Sequence, residues 1–167
     1  NDVTVIMQIR LPRVIGALLI GIGLSLSGAA LQGLFRNPLV SPYILGVSSG
    51  AGFGASLAIL LSLGSVLIQI FGFGFGLGAA MLSIVIGRSR WGNPTLSLVL
   101  AGIIVGSTFT ALISLIKYVA DPMDKLPAIV FWLMGSLGSV NYREISLVIL
   151  PITVGTLLLF LMRWKLN

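Results

Sequence analysis

Long apolar runs alternate with short polar breaks along this chain. Five runs are long enough to cross a bilayer, which takes about 20 mostly apolar residues. They lie near Leu11–Leu34, Tyr43–Leu63, Val66–Gly87, Thr95–Tyr118 and Glu144–Met162. A sixth run, Leu126–Met134, is too short to span. It reads as a reentrant or interfacial half-helix, which is tolerated at membrane depth only when buried in protein or lining a cavity. Asn1–Gln8 reads as a loop tail leading into the first helix, without the basic start and apolar core of a signal peptide. The pattern predicts an all-α, polytopic transmembrane bundle of about five spans plus one short half-helix, forming a single transmembrane domain over residues 1–167.

The prolines support these edges. Pro12, Pro42, Pro94 and Pro127 fall at predicted helix starts, where a missing N–H costs nothing. Pro38 and Pro122 fall in connections, and Pro151 lies inside the last span, where a kink is expected. Small residues recur every four positions on four helices: Ala17, Gly21, Ser25, Ala29 and Gly33; Gly46, Gly50, Gly54 and Ala58; Gly72, Gly76 and Ala80; Gly102, Gly106, Thr110 and Ser114. A four-residue step returns to nearly the same helix face. Such ridges let backbones approach closely in lipid, where packing drives association.

Composition agrees with a bilayer as solvent. The chain is 57% hydrophobic and 8% charged, too little polar surface to cover a soluble domain. There is no Cys and no His, which removes thiol chemistry, disulfides, haem-ligating His and most zinc sites. No catalytic residues, metal site or cofactor are expected. The glycine-rich stretches Gly50–Gly54 and Gly72–Gly78 continue as helix and follow no strand, so they fail the context of a dinucleotide loop, and no ATP-binding P-loop occurs. The net charge of +6 comes from ten Lys/Arg against four acids, scattered between apolar runs and not arranged as a basic stripe, so no nucleic-acid partner is expected.

Five spans put Arg10, Arg13, Lys117, Lys125 and Arg143 on one side and Arg36, Arg88, Arg90, Arg163 and Lys165 on the other. The Lys/Arg count is tied, so the positive-inside rule does not orient the chain. All four acids (Asp2, Asp121, Asp124 and Glu144) lie on the first side. No acid or base sits in the middle of a span, whereas proton relays and ion-coupled carriers usually show one. A membrane-embedded enzyme would lack catalytic groups at depth. An ion-coupled carrier with broken helices and a non-transport scaffold are the other classes open at this point.

A set of motifs then becomes specific: Arg10-Leu-Pro-Arg13, Ser27-Gly-Ala-Ala-Leu-Gln32, Phe35-Arg-Asn-Pro-Leu39, Pro42, Leu45-Gly46, Ser49-Gly-Ala51, Leu100-Ala-Gly102 and Trp132-Leu-Met-Gly135. In order and spacing they resemble the FecCD/BtuC-type permeases, the membrane subunits of ATP-driven importers for iron chelates, haem and cobalamin. The resemblance implies part of a ten-helix permease of a prokaryotic inner membrane. The chain would match the family's second to sixth helices, end before its cytoplasmic coupling helices, and by itself not transport. It further implies a homodimer, two cytoplasmic ABC ATPase subunits and a periplasmic or lipoprotein substrate-binding protein. An iron(III)-siderophore is the first expectation for cargo, with haem, cobalamin or an oxyanion as alternatives, and the side carrying Arg36 and Arg88 would be cytoplasmic, in contact with membrane lipid.

The same resemblance implies roles for particular residues. Arg10 and Arg13, three apart, would dock acidic residues of the binding protein, a task that suits the planar guanidinium; ordinary snorkelling is the alternative. Asn37 and Leu39 would form part of the cytoplasmic gate, although Asn and Pro are also turn residues. Thr95 and Leu96 align with a second gate element that is usually richer in Ser/Thr than it is here. The fourth span and the half-helix would line the translocation path, with hydroxyls from Thr108, Thr110 and Ser114 and a soft apolar wall from Phe131, Trp132 and Met134.

Overall fold

A computed structural model describes residues 2–38, 41–88, 94–138 and 140–166 of the chain. Every regular element among them is helical: α1 (Asp2–Phe35), α2 (Val47–Leu60), α3 (Ser65–Gly87), α4 (Pro94–Val119), α5 (Lys125–Met134) and α6 (Tyr142–Leu166). Four of these, α1, α3, α4 and α6, are long and apolar enough to cross a membrane. The chain divides into two compact units, one from residues 1–42 and 136–167, the other from 43–135.

In the first unit α1 packs against α6. The expected loop tail at Asn1–Gln8 is corrected: residues 2–10 are already helical, and Pro12 lies inside the helix. The backbone accommodates it by widening. Ile6–Arg10 winds as a π-helix, so the Leu11 N–H reaches back to the Ile6 carbonyl. In that register the Met7 carbonyl falls to Pro12, which has no N–H. The Tyr142 hydroxyl, from the first residue of α6, donates to the Met7 oxygen at 2.6 Å instead. Asn141 caps α6 by accepting the Glu144 N–H at 3.1 Å, and the helix runs continuously through Pro151. The small-residue ridge of α1 (Ala17, Gly21, Ser25, Ala29 and Gly33) is exposed.

The second apolar run is shorter as a helix than its sequence suggests. It opens as a 3-10 turn, Pro42–Leu45, and reverses at Gly46 (φ 68°) before α2 begins. Fourteen residues rise about 21 Å, short of the ~30 Å hydrocarbon core. Its end is a Schellman turn: Ser62 adopts the left-handed conformation, its N–H bonds the Ile59 carbonyl, and the Leu63 N–H bonds the Ala58 carbonyl. The short helix is instead the packed centre of its unit. Gly50, Gly52, Gly54, Ala55, Ser56, Ala58 and Ile59 are buried against α3, α4 and α5.

Glycine sets how close these helices come. A Cβ on Gly50 would sit 2.6 Å from the Phe75 carbonyl oxygen, and one on Gly54 would overlap the Phe71 carbonyl. Phe53 fills the space beside this seam, edge-on to Phe75 at 5.1 Å and tilted against Phe109 at 5.5 Å. Ile59, Ile116, Ala120 and the fully buried Ile129 close the far end, with Leu126 and Leu133 packed on them. The turn from α4 into α5 is organised by Asp121, whose Oδ1 accepts the N–H groups of Met123 and Asp124. At the other end the buried Ser83 hydroxyl donates to the Leu45 carbonyl at 3.0 Å, anchoring the 3-10 turn to α3.

This packing separates two glycines with the same helix propensity. Gly102 faces the Ile44 carbonyl so closely that a methyl group would overlap it, whereas Gly78 has nothing within 4 Å of an added Cβ. Gly102→Ala is expected to lower stability by about 2–3 kcal/mol. Gly78→Ala should leave it unchanged or raise it by up to about 1 kcal/mol. Unfolding of both variants in detergent, compared with the parent, checks the difference.

Candidate functional site

At the start of α1, Arg10 closes the π-wound turn and Arg13 follows Pro12. Both are exposed, but they are not equivalent. The Arg13 guanidinium donates to the Gly138 carbonyl at 2.8 Å, a link across 125 positions. Arg10 has no hydrogen bond or ion pair among the described residues. Gly16, one turn further, lies against Leu137 and Val140, so the segment before α6 is held to the start of α1 by one charged hydrogen bond and by apolar contact.

Asn37 lies at the other end of α1. Arg36 adopts the left-handed conformation (φ 49°), its N–H bonds the Gly33 carbonyl, and the Asn37 N–H bonds the Gln32 carbonyl at 3.1 Å. This is a Schellman turn, with Pro38 directly after it. Asn37 therefore ends the helix, as its residue type allows, and its side chain is exposed. Leu39 lies outside the described residues. Thr95 and Leu96 belong to the first turn of α4, Thr95 half-buried and Leu96 exposed.

The path residues fall into two groups. Thr110 and Ser114 line an open groove of about 520 Å³ along α4, together with Tyr43, Gly46, Ser49, Gly102 and Ser107. That volume is within the range of small-molecule sites. Its floor exists because α2 and α4 touch through glycine: a Cβ on Gly46 would lie 3.0 Å from the Gly106 nitrogen. Three of its hydroxyls bond locally. Thr110 donates to the Gly106 carbonyl at 2.9 Å, Ser114 to Thr110 at 3.1 Å and Ser49 to Gly46 at 3.4 Å. The groove thus presents hydroxyl oxygens and bare backbone, and none of its lining residues is charged. Thr108 bonds the Ile104 carbonyl at 2.9 Å and is not in the lining.

Phe131, Trp132 and Met134 are not in this groove either. α5 turns Leu126, Ile129 and Leu133 inward, which leaves Phe131 and Met134 on its exposed side. The Trp132 ring edge lies against Gly72 of α3. Sequence reasoning gave Tyr43 and Ser107 no role and carried Ser49 only as part of the Ser49-Gly-Ala51 motif. The four-residue ridge through Gly102, Gly106, Thr110 and Ser114 was the available signal, since Ser107 flanks it and Gly46 and Ser49 supply its counterpart on α2. Among the described residues no group of three or more Asp, Glu, His or Cys could hold a metal.

Comparison with known proteins follows from this architecture. The whole chain, residues 1–167, matches the model of the FecCD transport family. It is 44% identical over 165 residues to the molybdate import system permease protein MolB of Haemophilus influenzae, covering 98% of this chain and 48% of that protein. It is 42% identical to a probable iron chelatin transport system permease protein of Helicobacter pylori, covering 98% and 49%. The vitamin B12 import system permease protein BtuC of Escherichia coli is 37% identical over 150 residues, covering 88% and 46%. A solved structure of a metal-chelate type ABC transporter in an inward-facing conformation superposes with a TM-score of 0.90 at 41% identity, covering 100% of this chain and 54% of that one. The chain spans about half the length of the curated relatives it matches. With four membrane-length helices, it is a multi-pass protein of the inner membrane. In sequence over its whole length, and in the helical architecture that its glycine seams build, the chain belongs to the FecCD transport family.

Proposed function

We propose that the full-length protein is the permease subunit of an ATP-driven importer for metal chelates, and that this chain supplies part of its translocation path. The observation that carries the reading is the match of all 167 residues to the FecCD family model, joined to the superposition on a metal-chelate type ABC transporter at a TM-score of 0.90. The uncharged groove along α4 supports it. A conduit without titratable groups at depth holds cargo weakly, and the energy for transport then comes from elsewhere. In this reading two permease copies form the path, separate cytoplasmic ATPase subunits hydrolyse ATP, and a substrate-binding protein delivers cargo from the outside. The side carrying Arg36 and Arg88 faces the cytoplasm. An iron(III)-siderophore is the cargo we assign; haem, cobalamin and molybdate are the competing outcomes.

Mild purification of the full-length protein from its native membrane, with mass spectrometry of its companions, tests the assembly. A co-purifying ABC ATPase and a permease dimer are expected; a lone protein would overturn the reading in favour of a carrier or scaffold. Uptake by the reconstituted system of a labelled ferric siderophore, haem, cobalamin and molybdate, compared at equal concentration, then decides the cargo. Uptake of only one of the other three would replace the siderophore assignment while leaving the importer intact.

Two residue roles belong to the same reading. Arg10 and Arg13 dock acidic side chains of the binding protein, so Arg10→Glu with Arg13→Glu should weaken docking at least tenfold, on the scale of ~1.5–3 kcal/mol for a charge-assisted contact, and leave ATPase assembly intact. Equal docking affinity in parent and variant removes this role. Asn37 and Leu39 act with Thr95 and Leu96 as the cytoplasmic gate. Leu39→Ala should therefore raise ATPase activity uncoupled from uptake, and normal coupling in that variant would place the gate elsewhere.

A further inference from the structure

The inference concerns Tyr142 and rests on the docking role given above to the arginines at the start of α1. Three observations converge there. The π-wound turn Ile6–Arg10 ends on Arg10, so the winding of that turn fixes where the Arg10 side chain leaves the helix. The same winding leaves the Met7 carbonyl opposite Pro12, which has no N–H to offer. The Tyr142 hydroxyl donates to that carbonyl at 2.6 Å, and Arg13 is already bonded to the Gly138 carbonyl at 2.8 Å in the segment just before Tyr142.

We propose that Tyr142 is a positioning residue for docking: its hydrogen bond to Met7 holds the π-wound turn that presents Arg10 to an acidic partner surface, while Arg13 fastens the 136–142 segment beside it. The two arginines then divide the task. Arg10, with no hydrogen bond or ion pair among the described residues, meets the partner's carboxylate. Arg13 offers only the donors that Gly138 leaves over. Without the Tyr142 hydroxyl the Met7 carbonyl has no protein donor, and because rewinding to the α register would only pass the gap at Pro12 on to the Gln8 carbonyl, the turn loosens and the direction of Arg10 is no longer fixed.

The test uses the full transporter in lipid nanodiscs with its binding protein, reading the binding-protein concentration for half-maximal ATPase stimulation at several salt concentrations. Tyr142→Phe is expected to raise that concentration about fivefold, the equivalent of one neutral hydrogen bond, with the maximal rate kept. Its dependence on salt should be unchanged, because no charge is removed. Arg10→Gln should raise it further and flatten the salt dependence. Pro12→Ala returns an N–H to position 12, so Tyr142→Phe in that background should cost much less than alone; this pair also serves if the single Tyr142 variant does not assemble. An unchanged half-maximal concentration in Tyr142→Phe, a lowered maximal rate in its place, or an undiminished loss in the Pro12→Ala background would overturn the proposal. Unaltered docking in the Arg10→Glu, Arg13→Glu variant would instead overturn the docking reading itself, and this proposal with it.

Discussion

In hydrocarbon, water is not available to satisfy a backbone N–H or C=O, so each of these groups needs a partner inside the protein. The same need for a partner runs through most of the unusual local structure in this chain. Where Pro12 removes a donor, the helix widens and a tyrosine from α6 supplies the bond. Where α1 and α2 end, Schellman turns recover two carbonyls each, even though the residues at the left-handed positions are Arg36 and Ser62 and not glycine. Where the 3-10 turn before α2 ends, a buried serine from α3 takes the Leu45 carbonyl. The hydroxyls of Thr108, Thr110, Ser114 and Thr153 bond to their own helix for the same reason.

Close packing is the second consequence of the solvent. Lipid gives no hydrophobic drive between helices, so contact area must come from backbone approach. The second unit obtains it by placing the glycines of α2 on α3 and α4, with phenylalanines filling the gaps beside them. The same seam makes the groove. Small residues at Gly46, Gly102 and Gly106 both admit the neighbouring backbone and leave room along α4. Packing and groove are thus two uses of one ridge, which is why residue type alone did not separate them.

Much of the architecture was legible because hydropathy and proline placement report directly on the bilayer. The spans of α3, α4 and α6 and the end of α1 were read within a few residues, and the half-helix at Lys125–Met134 almost to the residue. The misreadings have two origins. A non-glycine residue in a left-handed turn carries no composition signal, so the early end of α2 at Leu60 was hidden in the apolar run to Leu63. A proline inside a helix looks like a helix start unless a distant side chain is known to compensate it, and so residues 2–10 read as a tail. At the candidate site, Thr110 and Ser114 were found through their spacing. Tyr43 and Ser107 were missed, and Ser49 was read only as a motif residue, because what makes them neighbours is the contact of α2 with α4.

By itself the sequence determined the solvent and the helical class, which follow from residue type and its period along the chain, and its motifs carried the resemblance to the family. The tertiary structure decided which of two equivalent-looking arginines is already bonded, which small-residue ridges are buried and which is exposed, and which hydroxyls share a groove. Those properties depend on partners 38 to 135 positions away, and a local pattern carries no information about a hydrogen bond whose other half is supplied by a different helix.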